Sequence, residues 1–220
     1  MSTSDPAAMT AMMLLADGRF PGGGHAHSGG LEPAVAAGRV TDLADLEAFL
    51  RGRLATVGLV AAAFAAAACA GSPDQTSTLD AEFDARTPSP AQRRVSRAQG
   101  RALLRAARTM WALPPVVEAH HPVALGVVAR AAGLAPGPAA GIAAYSSISG
   151  PASAAVRLLG LDPYAVHARI AALAPLCDAT AARAAGWAGS PPEDLPAASA
   201  PMADISAEDH ATWEVRLFAS

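Results

Sequence analysis

Apolar residues recur every three or four positions along most of the chain, the spacing that places them on one face of an α-helix. Thr41 and Asp42 are suitable N-terminal caps for the longest such segment, which we expect to run from Leu43 to about Ala70. The same criteria predict helices over residues 7–16, 31–37, 91–111, 121–133, 138–147, 152–159, 164–174 and 176–188. Strand-like alternation of apolar and polar residues is hard to find. The pattern therefore predicts an all-α fold, a single-domain helical bundle with short Gly/Pro turns.

Two segments depart from this pattern. Residues 72–90 are the most polar, and they form either a disordered excursion or one or two helical turns. From Ser190 onward the chain is proline-rich and acidic, which predicts a partly disordered C-terminal tail. The end of that tail is apolar, however, and we expect it to dock on a partner. We therefore divide the chain into a helical domain, residues 1–189, and a tail, residues 190–220.

A glycine-rich segment, LLADGRFPGGGHAHSGGLE, runs from Leu14 to Glu32, and we call it the glycine loop. Five glycines allow positive φ angles and close approach to another backbone. A flexible tether would be polar throughout, whereas this segment carries Phe20 and Leu31. We therefore expect a folded turn on the surface, and it presents the following side chains: His25, His27, Ser28 and Glu32.

Composition narrows the classes of function. Hydrophobic residues make up 52% of the 220 positions and charged residues only 16%, so the chain is long enough and apolar enough for a substantial core. The formal net charge of −3 argues against nucleic acid and acidic membranes as partners. All 16 basic residues are arginine, which excludes a Schiff-base lysine and a Walker-type phosphate lysine.

Cysteine usage and the N-terminus predict a cytoplasmic protein. Cys69 and Cys177 lie far apart in apolar surroundings, where free buried thiols are expected. The N-terminus lacks the basic region of a secretory signal. The apolar run from Leu54 to Ala70 is about long enough to cross a bilayer, but it consists mostly of alanine, so we expect a buried helix and no membrane association.

One predicted helix is unusually rich in arginine. Its start is marked by Ser89, Pro90 and Gln92, a capping box with proline at the first helical position. Its arginines are Arg93, Arg94, Arg97, Arg101, Arg105 and Arg108, with no acidic residue between the first and the last. A solvated helix would normally interleave acids with them. The helix is therefore either an exposed basic stripe or one that meets an acidic surface.

The sequence contains no recognisable catalytic motif and predicts no cofactor, so we do not expect an enzyme. His25 and His27 are two residues apart and suit a nickel or zinc ion, but a closed site needs about four ligands. We therefore expect no resident metal site within the chain. Binding to other proteins is the remaining interpretation of these surfaces.

Five segments together resemble the UreF family of urease accessory proteins. The glycine loop is similar to the family's N-terminal signature, and the other four matches follow in family order: VSRAQGRALLR, HHPVALGVVARAAGL, SAAVRLLGLDP and HATWEVRLFAS. They span nearly the whole chain, and five ordered matches are far more specific than any one of them.

The resemblance implies a non-catalytic, all-helical protein, usually a homodimer. Members of the family bind the scaffold protein UreD, also called UreH. Through it they recruit or regulate the GTPase UreG for nickel insertion into the urease apoenzyme. A nickel-binding metallochaperone that uses His25 and His27 is the alternative function.

The resemblance also implies roles for single residues. Glu32 matches a glutamate that couples the GTPase to urease activation. His25 replaces the usual aromatic residue, and together with Arg216 it is expected near the dimer and GTPase-binding surface. The remaining expected partner contacts, in the tail segment that orders against UreD, are Trp213, Leu217 and Phe218.

Overall fold

The computed structural model describes residues 6–116 and 118–218, except for the side chains of Pro6 and His25. Its α-helices are α1 (Pro6–Ala16), α2 (Leu31–Ala36), α3 (Leu43–Ala55), α4 (Val57–Ala70), α5 (Thr76–Ala85), α6 (Pro90–Ala107), α7 (His121–Ala131), α8 (Pro136–Leu159), α9 (Pro163–Ala172), α10 (Ala174–Ala185) and α11 (Pro201–Ala211). Over these ranges the only β-type assignment is an isolated bridge at His27. The predicted all-α fold is confirmed.

Helix α4 forms the centre of the core, and it packs against α7, α8 and α10. Small residues let these helices approach closely, as at Gly126 of α7, where a Cβ would lie 2.4 Å from the carbonyl oxygen of Ala65. By length and composition alone Leu43–Ala70 could cross a membrane. In the fold, 67% of the apolar 18-residue stretch within this segment is buried inside the protein, as expected for the core of a folded domain.

The predicted single helix from Leu43 to Ala70 is wrong, because it breaks at Thr56 into α3 and α4. The Thr56 backbone leaves the helical region, with φ −118° and ψ −105°, and its hydroxyl donates a 2.8 Å hydrogen bond to the carbonyl of Gly52. Beyond the break, Gly58 faces Ser147 of α8 so closely that a Cβ would lie 2.7 Å from the Ser147 hydroxyl. The break thus gives α4 its close packing on α8.

The predicted division of residues 138–159 into two helices is also wrong, because α8 continues through Pro151. Proline has no N–H, so it cannot bond the carbonyl four residues earlier, which belongs to Ser147. The Nε of Arg53 donates to that oxygen at 2.8 Å and replaces the missing donor. A side chain from α3 therefore keeps the carbonyl satisfied and the helix continuous.

The two atypical segments contain helices. Of the alternatives for residues 72–90, the helical one holds, since α5 occupies Thr76–Ala85. In the tail, a short 3₁₀ turn at Pro192–Asp194 precedes α11, which the sequence analysis did not predict.

Helix α6 begins as predicted, since the Ser89 hydroxyl accepts a 3.1 Å hydrogen bond from the N–H of Gln92. Its middle lies against the segment before α7. A Cβ at Gly100 would lie 1.9 Å from the carbonyl oxygen of Ala119, so glycine is required there. This contact fixes the position of His120 and His121 relative to α6.

Candidate functional site

The glycine loop is a folded structure, as predicted. Gly23, Gly29 and Gly30 adopt positive φ angles of 78°, 59° and 86°, which other residues adopt rarely. One side of the loop lies against α6, where a Cβ at Gly22 would touch Leu103. The other side lies against Pro151 of α8. The loop is therefore held between two core helices.

Arg53 anchors the loop to the core. Its Nη1 donates to the carbonyl of Gly29, while its Nε bonds the Ser147 carbonyl in α8. No carboxylate pairs with Arg53 among the described residues. Burial lowers the pKa of its guanidinium to about 10, a value at which it stays charged at neutral pH.

Glu32, in the first turn of α2, holds the C-terminal end of the tail. Its Oε1 accepts the N–H of Leu217 at 2.9 Å, and its Oε2 accepts the N–H of Phe218 at 3.0 Å. The Nε2 of His210 lies 3.1 Å from the same Oε2. Hydrogen bonds to a charged acceptor are stronger than neutral ones, so this carboxylate is a firm attachment point. The two ends of the chain thus meet at one residue.

The expectation that the loop presents Ser28 and Glu32 to solvent is wrong. Ser28 is fully buried and Glu32 is 7% exposed. The Ser28 hydroxyl accepts the N–H of Glu32 at 3.2 Å, and the tail covers the carboxylate. The physical reason is that the tail folds back onto its own chain. The predicted partner contacts of these two residues stay a prediction.

Helix α11 reverses the usual arrangement of a surface helix. It buries Ser206, Ala207 and His210, of which only Ala207 is apolar, whereas Met202 and Ile205 are 57% and 63% exposed. Polar contacts attach it: Arg39 donates to the Ser206 hydroxyl at 2.8 Å, and Glu208 accepts the Ser89 hydroxyl and, at 2.8 Å, the N–H of Ala91. The helix is therefore attached by hydrogen bonds, with apolar side chains facing outward.

The other predicted tail residues divide between contact and exposure. Trp213 is half-buried and packs edge-on against His210, with ring centres 4.7 Å apart. Phe218 is buried under the guanidinium of Arg157, 4.4 Å from its ring centre. Arg216 and Leu217 are exposed. The tail thus has a face attached to its own chain and a free face.

His27 of the glycine loop has His121 as a neighbour. His27 is half-buried, and the side chain of His25 lies outside the described part of the structure. Burial, together with nearby His27, lowers the pKa of His121 to about 4, which keeps that imidazole neutral at pH 7. The described side chains contain no group of three or more potential metal ligands. Nickel binding by His25 and His27 stays a prediction.

The two interpretations of the arginine helix both hold, for different residues. Arg93 and Arg97 meet an acidic surface, since they pair with Asp84 at 3.0 and 2.9 Å and Arg97 also pairs with Asp80 at 2.8 Å. Burial opposes ionisation of Asp84, but hydrogen bonds from His120, Arg93 and Arg97 outweigh it and hold its pKa well below the ordinary range. The remaining arginines, Arg94, Arg101, Arg105 and Arg108, are exposed.

Buried His120 completes this cluster, which the sequence analysis did not identify. Its Nε2 lies 2.9 Å from Oδ1 of Asp84, and its backbone N–H donates to Asp80 at 2.6 Å. Burial lowers the pKa of His120 despite the adjacent carboxylates, so the neutral ring donates through Nε2. The only sequence signal was Asp80 and Asp84, two acids four residues apart opposite an arginine helix. The cluster ties α5 and α6 to the start of α7.

Comparison with known proteins gives consistent matches over most of the chain. The UreF family profile matches residues 40–174. A urease accessory protein UreF from Mycobacterium sp. (strain JLS) is 49% identical over 218 residues, covering 96% of this chain and 99% of the relative. That of Mycolicibacterium vanbaalenii is 46% identical, with 97% and 100% coverage. That of Mycobacterium tuberculosis is 44% identical, with 92% and 94% coverage.

Proposed function

This chain belongs to the UreF family of urease accessory proteins, and on that premise we propose that it is a non-catalytic subunit of a urease maturation complex. It binds the scaffold UreD (UreH) and through it recruits or regulates the GTPase UreG, which delivers nickel to the urease apoenzyme. It does so in the cytoplasm and by protein contact alone.

The attachment of the tail to Glu32 is the observation that carries this proposal. The end of the glycine loop and the C-terminal residues are in direct contact, through a hydrogen bond between Glu32 and Leu217, which are 185 positions apart. Both are segments in which the family resemblance predicts partner contacts. A partner that takes hold of the tail therefore changes the environment of Glu32 directly, because it competes for the hydrogen bonds of Leu217 and Phe218.

The outer face of the tail has the character of a binding surface for the scaffold. Met202, Ile205, Val215 and Leu217 are all more than half exposed, which is unusual for so many large apolar side chains in one segment. Apolar side chains are the groups that contribute most when an interface excludes water. We assign this face to UreD.

A second apolar surface suits the homodimer. Helix α1 exposes Met9, Met13 and Leu14, and Met110 lies beside Leu14 in a shallow groove next to the glycine loop. A self-complementary patch of this kind would bury its apolar side chains in a twofold interface. Light scattering of the Leu14→Arg variant tests this assignment, since the variant should be monomeric at concentrations at which the parent is dimeric. A dimer that persists would exclude this surface.

The test of the proposed function uses Glu32→Gln in the full-length chain. An amide keeps one acceptor oxygen but cannot accept both N–H groups and His210, so we expect the tail to detach while the helical core stays folded. Trypsin reports detachment directly, because the Arg216–Leu217 peptide bond contains one of the N–H groups held by Glu32. We expect cleavage there to become about tenfold faster or more, since a charged hydrogen bond of this type contributes roughly 1.5–3 kcal/mol.

Complex formation and urease activation are then measured with soluble UreD, UreG and apo-urease. We expect Glu32→Gln to lower nickel-dependent urease activation. The matched control is Glu47→Gln, which removes an acid that pairs, within the described part of the chain, with Arg51 and Arg169 on another face. Absence of any complex with the parent chain, when all components are soluble, would refute the function. Full activation by a variant with a demonstrably detached tail would refute the role of Glu32.

A further inference from the structure

The exposed side of α6 is lined by arginine. Every exposed charged residue of α6 is an arginine, and the other exposed residues of the helix are Pro90 and Ala98. Three exposed arginines of α6 and Arg108, which directly follows the helix, form a row that we call the α6 stripe: Arg94, Arg101, Arg105 and Arg108. They stand apart from Arg93 and Arg97, whose charges are neutralised by Asp84 and Asp80.

The spacing of the α6 stripe makes it straight. At about 100° per residue, offsets of 7, 11 and 14 from Arg94 place all four side chains within a sector of roughly 60°. At about 1.5 Å per residue the stripe is about 21 Å long. A straight row of this length is accessible to a single helix that lies alongside α6.

Only part of the positive charge in the α6 stripe is neutralised within the protein. Arg101 pairs with exposed Glu118 at 2.6 Å, and Arg94 lies near Glu208, whose pKa is lowered chiefly by its hydrogen bonds with Ser89 and Ala91. Arg108 donates to the carbonyl of Val116, which carries no charge. Arg105 makes no ion pair with any residue in the described ranges. Four cations thus face two acids.

We propose that the α6 stripe is a docking surface for an acidic face of a protein partner, most simply a helix with carboxylates at the same spacing. Nucleic acid fits less well: the chain has 16 arginines and 19 acids, so without these four arginines the balance is 12 against 19. A polyanion that extends beyond the stripe would meet a surface of its own sign. A protein presents a limited acidic patch that the stripe can match.

The helix that carries the α6 stripe adjoins both the glycine loop and the tail. The adjoining α6 residue Ala102 faces Gly23 of the glycine loop, and the start of α6 is bonded to Glu208 of α11. A protein that contacts the loop and the tail therefore also reaches the stripe. This inference rests on the proposed function, because the acidic partner is then a component of the same maturation complex.

The test replaces all four arginines of the α6 stripe with glutamine in the full-length chain. A control replaces three exposed arginines that lie outside the glycine loop, α6 and the tail: Arg51, Arg169 and Arg183. Binding of UreD, UreG and apo-urease is measured separately by biolayer interferometry at 50 and 300 mM NaCl. We expect the stripe variant to weaken the affinity for one of them by about tenfold or more at low salt, mainly through the association rate. When the NaCl concentration rises from 50 to 300 mM, the affinity of the parent chain should fall by a larger factor than that of the stripe variant.

Each other outcome is decisive. Equal losses in the stripe and control variants would overturn the inference while leaving the proposed function intact. A parent chain that binds none of the three proteins would overturn the proposed function and this inference with it. Stripe-dependent binding to a 30-base-pair DNA duplex, with protein binding unchanged, would assign the surface to nucleic acid. A stripe-dependent change in oligomeric state, measured by light scattering, would assign it to a second copy of the chain.

Discussion

Replacing Arg53 with methionine should expose how the glycine loop depends on the interior proline of α8. Methionine keeps much of the aliphatic volume but donates no hydrogen bond, so the carbonyls of Ser147 and Gly29 both lose their donor. Ser147 cannot recover one from its own helix, because residue 151 is proline. An unsatisfied buried polar group costs about 1–3 kcal/mol, so we expect the free energy of unfolding to fall by about 2–5 kcal/mol.

The double variant Arg53→Met/Pro151→Ala gives a sharper test of this dependence. Pro151→Ala restores an N–H four residues after Ser147. In the Arg53→Met background this substitution should therefore raise the free energy of unfolding by about 1–2 kcal/mol, whereas in the parent, where Arg53 already bonds the carbonyl, it should give no such gain. Urea denaturation of the four proteins of this cycle measures that coupling energy. Arg51→Met is the control, since Arg51 is exposed and should change stability by less than about 0.5 kcal/mol. Additive effects of the two substitutions would refute the assignment of Arg53 as the replacement donor.

Two further predictions concern packing and pH. Gly100→Ala should destabilise the protein by about 3 kcal/mol or more, because its Cβ would overlap the Ala119 carbonyl, whereas Gly141→Ala, with no atom within 4 Å, should be neutral or slightly stabilising in thermal melts. His121 has a folded-state pKa of about 4, below its unfolded value near 6.5, so the unfolded state binds its proton first and stability falls as the pH drops from about 6.5 to 4. Urea titrations at pH 7 and 5 should show a loss of at most about 2 kcal/mol, reduced in His121→Gln; an unchanged pH slope in that variant would contradict it.

Local signals in the sequence predict most of the helices, and tertiary contacts explain the errors. The start of α6 follows from Ser89 and Pro90, because capping depends on residues close in sequence. The break at Thr56 and the continuity of α8 through Pro151 depend on contacts between α3, α4 and α8, which no local pattern encodes.

The candidate site divides in the same way. Glycine content and motif resemblance single out Glu32, but its hydrogen bonds to Leu217 and Phe218 join opposite ends of the chain, so the burial of Glu32 could not be predicted. Likewise, the sequence shows six arginines on one helix. Which of them are neutralised depends on the docking of α5, and therefore only the fold separates Arg97 from Arg105.

The inverted polarity of α11 governs what its departure would do to the solubility of the protein. Lifting it away breaks its hydrogen bonds with the guanidinium of Arg39, the hydroxyl of Ser89 and the carboxylate of Glu32, all of which water hydrates readily. Little apolar surface would be newly exposed there, so the opened form should not aggregate through that site. The apolar side of α11, with Met202 and Ile205, already faces solvent in the closed form. A partner that covers this side would therefore make the protein more soluble as well as bind it.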